Sequence, residues 1–304
     1  MRKFLPVIAI AAALVFGQAN AQALSDADKA ARAETKMVNA QKIILVGDST
    51  VQSNSGWGGA FCATHLAHSV ACINLARGGR SSFSYRAEGS WDIALQEMRN
   101  DKISKTYVLI GFGHNDQPGK PGRSTDLQTE FPVFMVQYIK EVKDAGATPV
   151  LFTPLTRRIF EDGILLNDLE GHAGALRKIA RDENIALVDM HALSRKALQE
   201  MGVKKSLYLA QIPPSSAQIK AAKKGTSIKP AITDRAPEGE IRRCNNAAIK
   251  QACADFTPQT YATGKVNLAF DFTHLGEEGA AYFSAMFAEE LARQVPELAG
   301  SIIP

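Results

Sequence analysis

The sequence is poor in cysteine and tryptophan, and beyond its first 23 residues it has no long uncharged apolar run. Four cysteines and two tryptophans occur among 304 residues. No two cysteines form a Cys-x-x-Cys pair, so a redox centre or zinc site of that type has no support. The lack of a second long apolar run predicts a mature protein without a membrane-spanning helix, which we expect to be soluble.

Strong charge and two common nucleophile or phosphate motifs are also missing. The formal net charge is +4, too small to suggest a nucleic-acid partner. Gly78-Gly79 is not followed by Gly-Lys-Ser/Thr, so it is not a phosphate-binding loop. No Gly-x-Ser-x-Gly occurs, and the nucleophile elbow of the α/β-hydrolase fold is therefore absent.

The first 23 residues have the pattern of a secretory signal peptide. Arg2 and Lys3 precede an apolar, Ala-rich stretch, and small-x-small cleavage sites end at Ala21 and Ala23. Removing this segment would take away two positive charges and lower the formal charge from +4 to +2. We expect a secreted or periplasmic protein, with residues 24–304 forming a single large domain.

The four cysteines all follow the predicted signal peptide. An even number in an oxidising compartment favours disulfides, although four cysteines allow three pairings. We expect the two local pairings, which are Cys62 with Cys72 and Cys244 with Cys253. Free buried thiols are the alternative.

Short apolar runs alternate with helical patterns along most of the chain. This alternation predicts an α/β fold, with a parallel sheet between layers of helices. The predicted strands are 43–46, 70–75, 107–112, 148–153 and 185–189, and a final amphipathic helix is predicted over 277–294.

Residues 203–265 interrupt this rhythm and are predicted to form a basic insertion. Residues 203–250 contain ten Lys or Arg against three Asp or Glu, a formal charge of +7. Such a run is often a solvated surface loop. The alternative is that it borders the site and attracts an anionic substrate.

The first predicted strand ends directly before Gly47-Asp48-Ser49. In an open parallel sheet, ligands bind beyond the carboxyl ends of the strands, so Ser49 lies where chemistry is expected. A serine hydroxyl needs a base to become a nucleophile. Asp271 and His274, three apart before the last helix, could supply an imidazole held by a carboxylate. The plainer interpretation is a polar turn that caps a helix.

These motifs resemble the SGNH (GDSL-like) hydrolase superfamily. Four blocks occur in the order of that superfamily, each at a predicted strand end or helix start. They are Gly47-Asp48-Ser49-Thr50, Asn74-Leu75-Ala76-Arg77-Gly78-Gly79-Arg80-Ser81, Gly113-His114-Asn115-Asp116 and Asp271-Phe272-Thr273-His274. The residues in these blocks are most similar to those of rhamnogalacturonan or pectin acetylesterases.

The resemblance implies a three-layer α/β/α sandwich with about five parallel strands, a flavodoxin-like arrangement. It implies that Ser49 is the nucleophile, His274 the base and Asp271 the residue that orients it. The Ser49 N–H, Gly79 and Asn115 would form the oxyanion hole. The expected reaction is removal of acetyl groups from a polysaccharide, without a cofactor or a metal.

Other residues offer alternatives to this assignment. His191, two positions after Asp189, is the rival base or a helix cap. Trp57 could stack on a sugar ring or pack in the core. Arg80 could bind a substrate carboxylate bidentately.

Two other functions remain open from the sequence alone. One is a lipid or general short-chain esterase of the same superfamily. The other, from a different class, is a non-catalytic polysaccharide-binding protein on the same fold, against which the intact set of Ser49, Asp271 and His274 argues.

Overall fold

A computed structural model describes residues 25, 40–99, 103–228, 268 and 270–303. The predicted signal peptide, Cys244, Cys253 and the segment 229–265 of the predicted insertion lie outside the described residues. No helix in the described ranges is long and apolar enough to cross a membrane.

Five parallel strands form the central sheet, in the order β2-β1-β3-β4-β7. Their inner residues are apolar and β-branched, the composition expected of strands covered on both faces. The strands are β1 (Gln41–Val46), β2 (Val70–Asn74), β3 (Lys105–Ile110), β4 (Thr148–Phe152) and β7 (Ala186–Val188). A separate antiparallel hairpin, β5 (Phe160–Glu161) and β6 (Ile164–Leu165), follows β4.

Helices cover both faces of the sheet, so the predicted three-layer α/β/α fold is confirmed. The helices are α1 (Gly58–Thr64), α2 (Ser84–Ala87), α3 (Ser90–Met98), α4 (Phe131–Asp144), α5 (Glu170–Asp182), α6 (Met190–Ser206), α7 (Ser216–Ala222) and α8 (Glu277–Gln294). Single 3₁₀ turns follow α6 at Leu207–Leu209 and α8 at Pro296–Ser301.

The alternation of side chains along each strand divides the core in two. Ile43 and Leu45 face the side covered by α1, α6 and α8, where they pack in one cluster with Phe61 and Phe287. Ile44 and Val46 point to the opposite face and pack in a second cluster with the buried residues of α3, α4 and α5. Packed apolar side chains therefore cover both faces of β1, and the chain becomes accessible to solvent only where the strand ends.

The start of the predicted basic insertion is helical and packs on the core. Val203, Leu207 and Ala222 are buried and belong to the same cluster as the helices α6 and α8. Ser215 and Gln218 form a reciprocal capping box that starts α7. Residues 203–228 thus differ from the expected irregular loop, because their apolar residues complete one face of the core.

Candidate active site

Ser49 lies in a tight turn directly after β1. The carboxylate of Asp48 is buried and accepts hydrogen bonds from the Thr50 N–H and hydroxyl, both at 2.8 Å. Burial raises the pKa of Asp48, and the two hydrogen bonds from Thr50 act against that rise. The Gln52 N–H then donates to the Asp48 carbonyl at 3.1 Å, which begins a helical turn. The turn leaves Ser49 half-buried at the end of the sheet, where the sequence placed it.

Ser49, His274 and Asp271 form one chain of hydrogen bonds. His274 Nε2 lies 2.8 Å from Ser49 Oγ, and His274 Nδ1 lies 2.5 Å from Asp271 Oδ2. The other carboxylate oxygen, Asp271 Oδ1, accepts the main-chain N–H groups of Thr273 and His274 at 2.8 and 2.7 Å. With a proton on Nδ1 held by Asp271, Nε2 is left to accept the serine proton, the arrangement that general-base activation requires.

The Asp271 carboxylate is favoured in its charged form. Burial alone would raise its pKa, but the hydrogen bond and charge of His274 and the two main-chain N–H groups outweigh burial. The pKa of Asp271 is therefore held below its ordinary value. A permanent negative charge beside Nδ1 stabilises an imidazolium when His274 takes a proton.

The loop after β2 brings Gly78 and Gly79 beside the nucleophile. A Cβ atom at position 78 would lie 2.8 Å from Gln52 Oε1, at the end of a flexible side chain, and at an ordinary contact distance of 3.6 Å from Ser49 Cβ. The Gly78 N–H donates to Gln52 Oε1 at 2.5 Å. Gly79 has a φ of +77°, a left-handed conformation that glycine adopts without strain. Gln52, which sequence reasoning missed, lies three positions after Ser49 and thus on the same side of the helical turn.

Asn115 is buried at the end of β3 and is held by the neighbouring loop. Its Nδ2 donates to the Arg80 carbonyl at 3.0 Å, which uses one of the two amide protons. Arg123 Nη1 lies 3.3 Å from Asn115 Oδ1 and 3.4 Å from the Gly79 carbonyl. This contact fixes which end of the amide is the donor. Asn115 and Gly79 are thereby joined through the Arg123 guanidinium.

The Asp116 carboxylate connects the loop after β2 to the loop after β3. Its Oδ1 accepts the Ser82 N–H at 3.0 Å, the Ser82 hydroxyl at 2.5 Å and the Thr125 hydroxyl at 3.0 Å. The carboxyl group is fully buried, and burial raises its pKa to about 7 against the opposing hydrogen bonds. Asp116 therefore connects the chain after β2 to the chain after β3.

Comparison with known protein families gives a match over more than half of this chain. Residues 45–212 match the model of the GDSL-like lipase/acylhydrolase family. The chain belongs to this family. It is accordingly a carboxylic ester hydrolase of the SGNH (GDSL-like) superfamily, as the four sequence blocks predicted.

Named relatives of this esterase occur in Bacillus subtilis (strain 168). It is 36% identical over 172 residues to the probable rhamnogalacturonan acetylesterase YesY, covering 55% of this chain and 77% of YesY. It is 31% identical over 173 residues to the rhamnogalacturonan acetylesterase RhgT, covering 54% of this chain and 71% of RhgT. The crystal structure of YxiM from Bacillus subtilis matches with a TM-score of 0.57 and 21% identity, over 84% of this chain and 57% of that chain, which supports the fold.

The rival base His191 lies in a different environment from Ser49. It is buried in the first turn of α6, with Nδ1 3.4 Å from Glu170 Oε2 and 3.5 Å from Arg177 Nη2. Burial is the main reason why its pKa is lowered. Asp189, not His191, caps α6, through a hydrogen bond from the Ala192 N–H. His274, and not His191, makes the 2.8 Å hydrogen bond to Ser49 Oγ.

The prediction that Trp57 stacks on a sugar ring is wrong. The residue is 1% exposed and belongs to the core under α1 and α8. Its ring stacks on Phe287 with 4.0 Å between centroids and meets the edge of Phe152 at 5.4 Å. Neither face of the indole is left for a ligand.

The Arg80 guanidinium, which was predicted to bind a substrate carboxylate, has partners within the protein. The Arg80 guanidinium pairs with Glu88, with Nη2 to Oε2 at 2.8 Å and Nε to both carboxylate oxygens at 2.9 and 3.0 Å. Its Nη1 donates to the Gly78 carbonyl at 2.7 Å. The guanidinium thus holds the glycine loop, through its pair with Glu88 and its hydrogen bond to Gly78.

A disulfide joins Cys62 of α1 to Cys72 of β2, as the local pairing predicted. Their Cα atoms are 5.5 Å apart. The bond fastens the helix that follows the nucleophile turn to the edge strand of the sheet. The predicted pairing of Cys244 with Cys253 lies outside the described residues.

Proposed function

We propose that this protein is an exported serine esterase that removes O-acetyl groups from a pectic polysaccharide such as rhamnogalacturonan. The observation that carries the proposal is the hydrogen-bonded chain of Ser49, His274 and Asp271 at the carboxyl end of the sheet. The names of the relatives YesY and RhgT support the substrate class.

In the acylation half of the reaction, Ser49 Oγ attacks the acetyl carbonyl carbon while His274 Nε2 accepts the serine proton. The carbonyl π electrons move to oxygen, and the oxyanion accepts hydrogen bonds from the Ser49 N–H, the Gly79 N–H and Asn115 Nδ2. Collapse of this intermediate breaks the bond to the sugar oxygen. The imidazolium of His274 gives its proton to that oxygen, so the sugar leaves as an alcohol.

In the deacylation half, a water molecule takes the place of the sugar hydroxyl that has left. His274 Nε2 accepts a proton from water, whose oxygen attacks the acetyl carbon on Ser49. The second intermediate collapses to acetic acid, and the imidazolium returns the proton to Ser49 Oγ. Asp271 stays charged throughout, which is consistent with its lowered pKa. The cycle consumes one water and releases one acetate, and the residues described need no cofactor for it.

Charge supports an anionic polymer as the substrate. Pectic chains carry uronate carboxylates, and residues 203–250 carry a formal +7. Lys204, Lys205, Lys223 and Lys224 belong to this segment and are exposed. Attraction between exposed charges is screened beyond about 10 Å at 0.1 M salt. Raising salt should therefore lower kcat/KM on a uronate polymer and leave a small neutral aryl acetate nearly unchanged.

Rates on a panel of esters test the substrate assignment. The panel contains acetylated rhamnogalacturonan, acetylated xylan as a polymer with little charge, and aryl esters of acetate, butyrate and octanoate. The proposal predicts the highest kcat/KM on acetylated rhamnogalacturonan and a fall with acyl length. Equal or faster cleavage of octanoate would instead indicate a general or lipid esterase. Neutralising the four lysines to Gln should reproduce the effect of salt on the uronate polymer alone.

Export through residues 1–23, leaving residues 24–304 as the SGNH domain with its basic segment, is part of the same proposal. Expression of the full chain in a bacterium followed by N-terminal sequencing tests it. The mature protein in the periplasm or medium should begin after Ala21 or Ala23. An uncleaved chain retained in the cytoplasm would contradict export.

A further inference from the structure

A buried arginine lies directly behind the loop that carries Asp271 and His274. Arg158 follows β4 and is 1% exposed. Within the described ranges, no carboxylate oxygen lies within ion-pair distance of its guanidinium, whose hydrogen bonds go to main-chain carbonyls. Burial lowers the pKa of Arg158 to about 10, so the group remains charged at neutral pH. A charge in this position must be solvated by fixed dipoles in place of water.

The dipoles that solvate Arg158 belong to the candidate catalytic loop. Arg158 Nη2 donates to the carbonyls of Asp271 at 2.9 Å and His274 at 2.8 Å, and Nη1 lies 3.4 Å from the Thr273 carbonyl. The main-chain N–H of Arg158 donates to the Phe272 carbonyl at 2.8 Å. One residue therefore contacts all four carbonyls of Asp271-Phe272-Thr273-His274.

The other side of the same loop is fastened to the nucleophile turn. The Leu275 N–H donates to the Ser55 carbonyl at 2.9 Å, and the Ser55 hydroxyl donates to the Ser49 carbonyl at 2.7 Å. His274 is thus held between Ser55, which belongs to the turn of Ser49, and Arg158, which belongs to the chain after β4. Loss of either attachment would leave the imidazole free to move relative to Ser49 Oγ.

Arginine is the side chain suited to this contact. Its planar guanidinium offers five N–H donors in a fixed arrangement, whereas lysine offers a compact ammonium on a flexible stem. Hydrogen bonds from a charged donor are shorter and stronger than neutral ones. A lysine at this position could reach one or two of the carbonyls but could not hold the loop in the same way.

We propose that Arg158 is a positioning residue that fixes the Asp271–His274 pair against Ser49 by binding the carbonyls of their loop. The inference rests on the proposed roles of Ser49, His274 and Asp271. Arg158 contacts no reacting atom and acts through the geometry of His274. A displacement of about 1 Å at a reacting group can cost roughly a hundredfold in rate.

The test compares kcat and KM on an aryl acetate for Arg158→Lys, Arg158→Met and a matched control, Arg86→Met. Arg86 is a half-buried arginine that pairs with Glu141 on the opposite face of the sheet, and its hydrogen bonds do not go to the loop. We expect kcat to fall about a hundredfold in Arg158→Met and less in Arg158→Lys, with KM within a few-fold of the wild-type value. Arg86→Met should keep the wild-type kcat even where its thermal midpoint falls as far.

A spectroscopic measurement keeps the proposal testable if Arg158→Met does not fold. The Nδ1 proton held at 2.5 Å by Asp271 should give a low-field ¹H resonance in the wild type, absent from His274→Ala. We expect this resonance to shift or broaden in Arg158→Lys and to persist in Arg86→Met and Ser49→Ala. An unchanged resonance together with a wild-type kcat in Arg158→Lys would overturn the positioning role.

The same experiment separates this inference from the proposed function. If Ser49→Ala is inactive while a folded Arg158→Met or Arg158→Lys has the wild-type kcat, the positioning role fails and the serine mechanism stands. If Ser49→Ala retains the wild-type activity, the serine mechanism is wrong. The positioning role of Arg158 in that mechanism is then wrong as well.

Discussion

His274 Nε2 lies 2.8 Å from Ser49 Oγ, although 225 positions separate the two residues. Ser49 is presented by the end of β1, an inner strand of the sheet, and His274 by the turn before α8. The Ser55 contacts described above join these two segments directly. Hydrogen bonds that end on the main chain of both segments therefore hold the pair in place, through Ser55 and Leu275.

The choice of base gives the first prediction. His274→Ala should lower kcat by at least about a thousandfold, since residues of such a unit act together. Asp271→Asn should also be severe, because an amide would favour the wrong imidazole tautomer. His191→Ala is the control and should retain most activity, as His191 contacts Glu170 and Arg177 instead of Ser49. An active His274→Ala together with an inactive His191→Ala would show that the base is misassigned.

The second prediction concerns Asn115. Asn115→Ala should lower kcat about a hundredfold or more, the usual cost of one lost oxyanion donor. KM should change less, because this hydrogen bond strengthens as negative charge develops on the substrate oxygen. Steady-state kinetics on an aryl acetate separates the two parameters. A normal kcat in the folded variant would remove Asn115 from the oxyanion hole.

The third prediction concerns the buried carboxyl of Asp116. Its folded-state pKa of about 7 lies above the ordinary value of 3.8, so the folded protein binds a proton that the unfolded chain has lost. The contribution of Asp116 to stability is therefore present below about pH 4 and declines as the pH rises to about 7. The slope for one proton cannot exceed about 1.4 kcal/mol per pH unit.

Denaturant unfolding of the wild type and Asp116→Asn between pH 4 and pH 8 measures this decline. The free energy of unfolding of the wild type, relative to the variant, should fall across this range up to about pH 7. Asp126→Asn is the control with the opposite sign, because hydrogen bonds from Thr129 and Gln128 lower the pKa of Asp126. Its contribution should instead stay constant across this range and be lost only on acidification below about pH 4. If the unfolding free energy of the wild type relative to Asp116→Asn rose with pH, a raised pKa of Asp116 would be refuted.

The fourth prediction concerns the cysteines. The disulfide of Cys62 and Cys72 closes a loop of ten residues, so replacing both by Ser should lower the free energy of unfolding by about 2–3 kcal/mol. The purified protein should show no free thiol when denatured without reductant, and peptide mapping should link Cys244 to Cys253. Free thiols mapped to Cys244 and Cys253 would disprove that second pairing, and four titratable thiols would disprove both.

The strands and the last helix could be predicted because their signals are local. Continuous apolar runs predicted β1 and β3, and helical spacing predicted α8 with the bounds found. Ser49 could be predicted because it directly follows a strand end. Asp271 and His274 could be predicted because their Asp-x-x-His spacing places a carboxylate beside an imidazole. The capping box of Ser215 and Gln218 was also readable, yet the basic composition around it suggested an irregular loop instead.

What could not be predicted depends on contacts between distant segments. Nothing near Trp57 in the sequence shows that Phe287 of α8 will cover its ring. Arg158 binds main-chain carbonyls, which every residue possesses, so its partners leave no pattern in the sequence. The pairing of Arg80 with Glu88 is more local, but the charge alone does not distinguish an internal partner from a substrate carboxylate.

The most direct test of the central claim is acetate release from acetylated rhamnogalacturonan by the wild type and by Ser49→Ala. The account predicts rapid release by the wild type and a loss of at least about a thousandfold in the folded variant. Acid-quenched wild type should carry one acetyl group on the peptide that contains Ser49. Acetate release by Ser49→Ala at the wild-type rate would contradict the account.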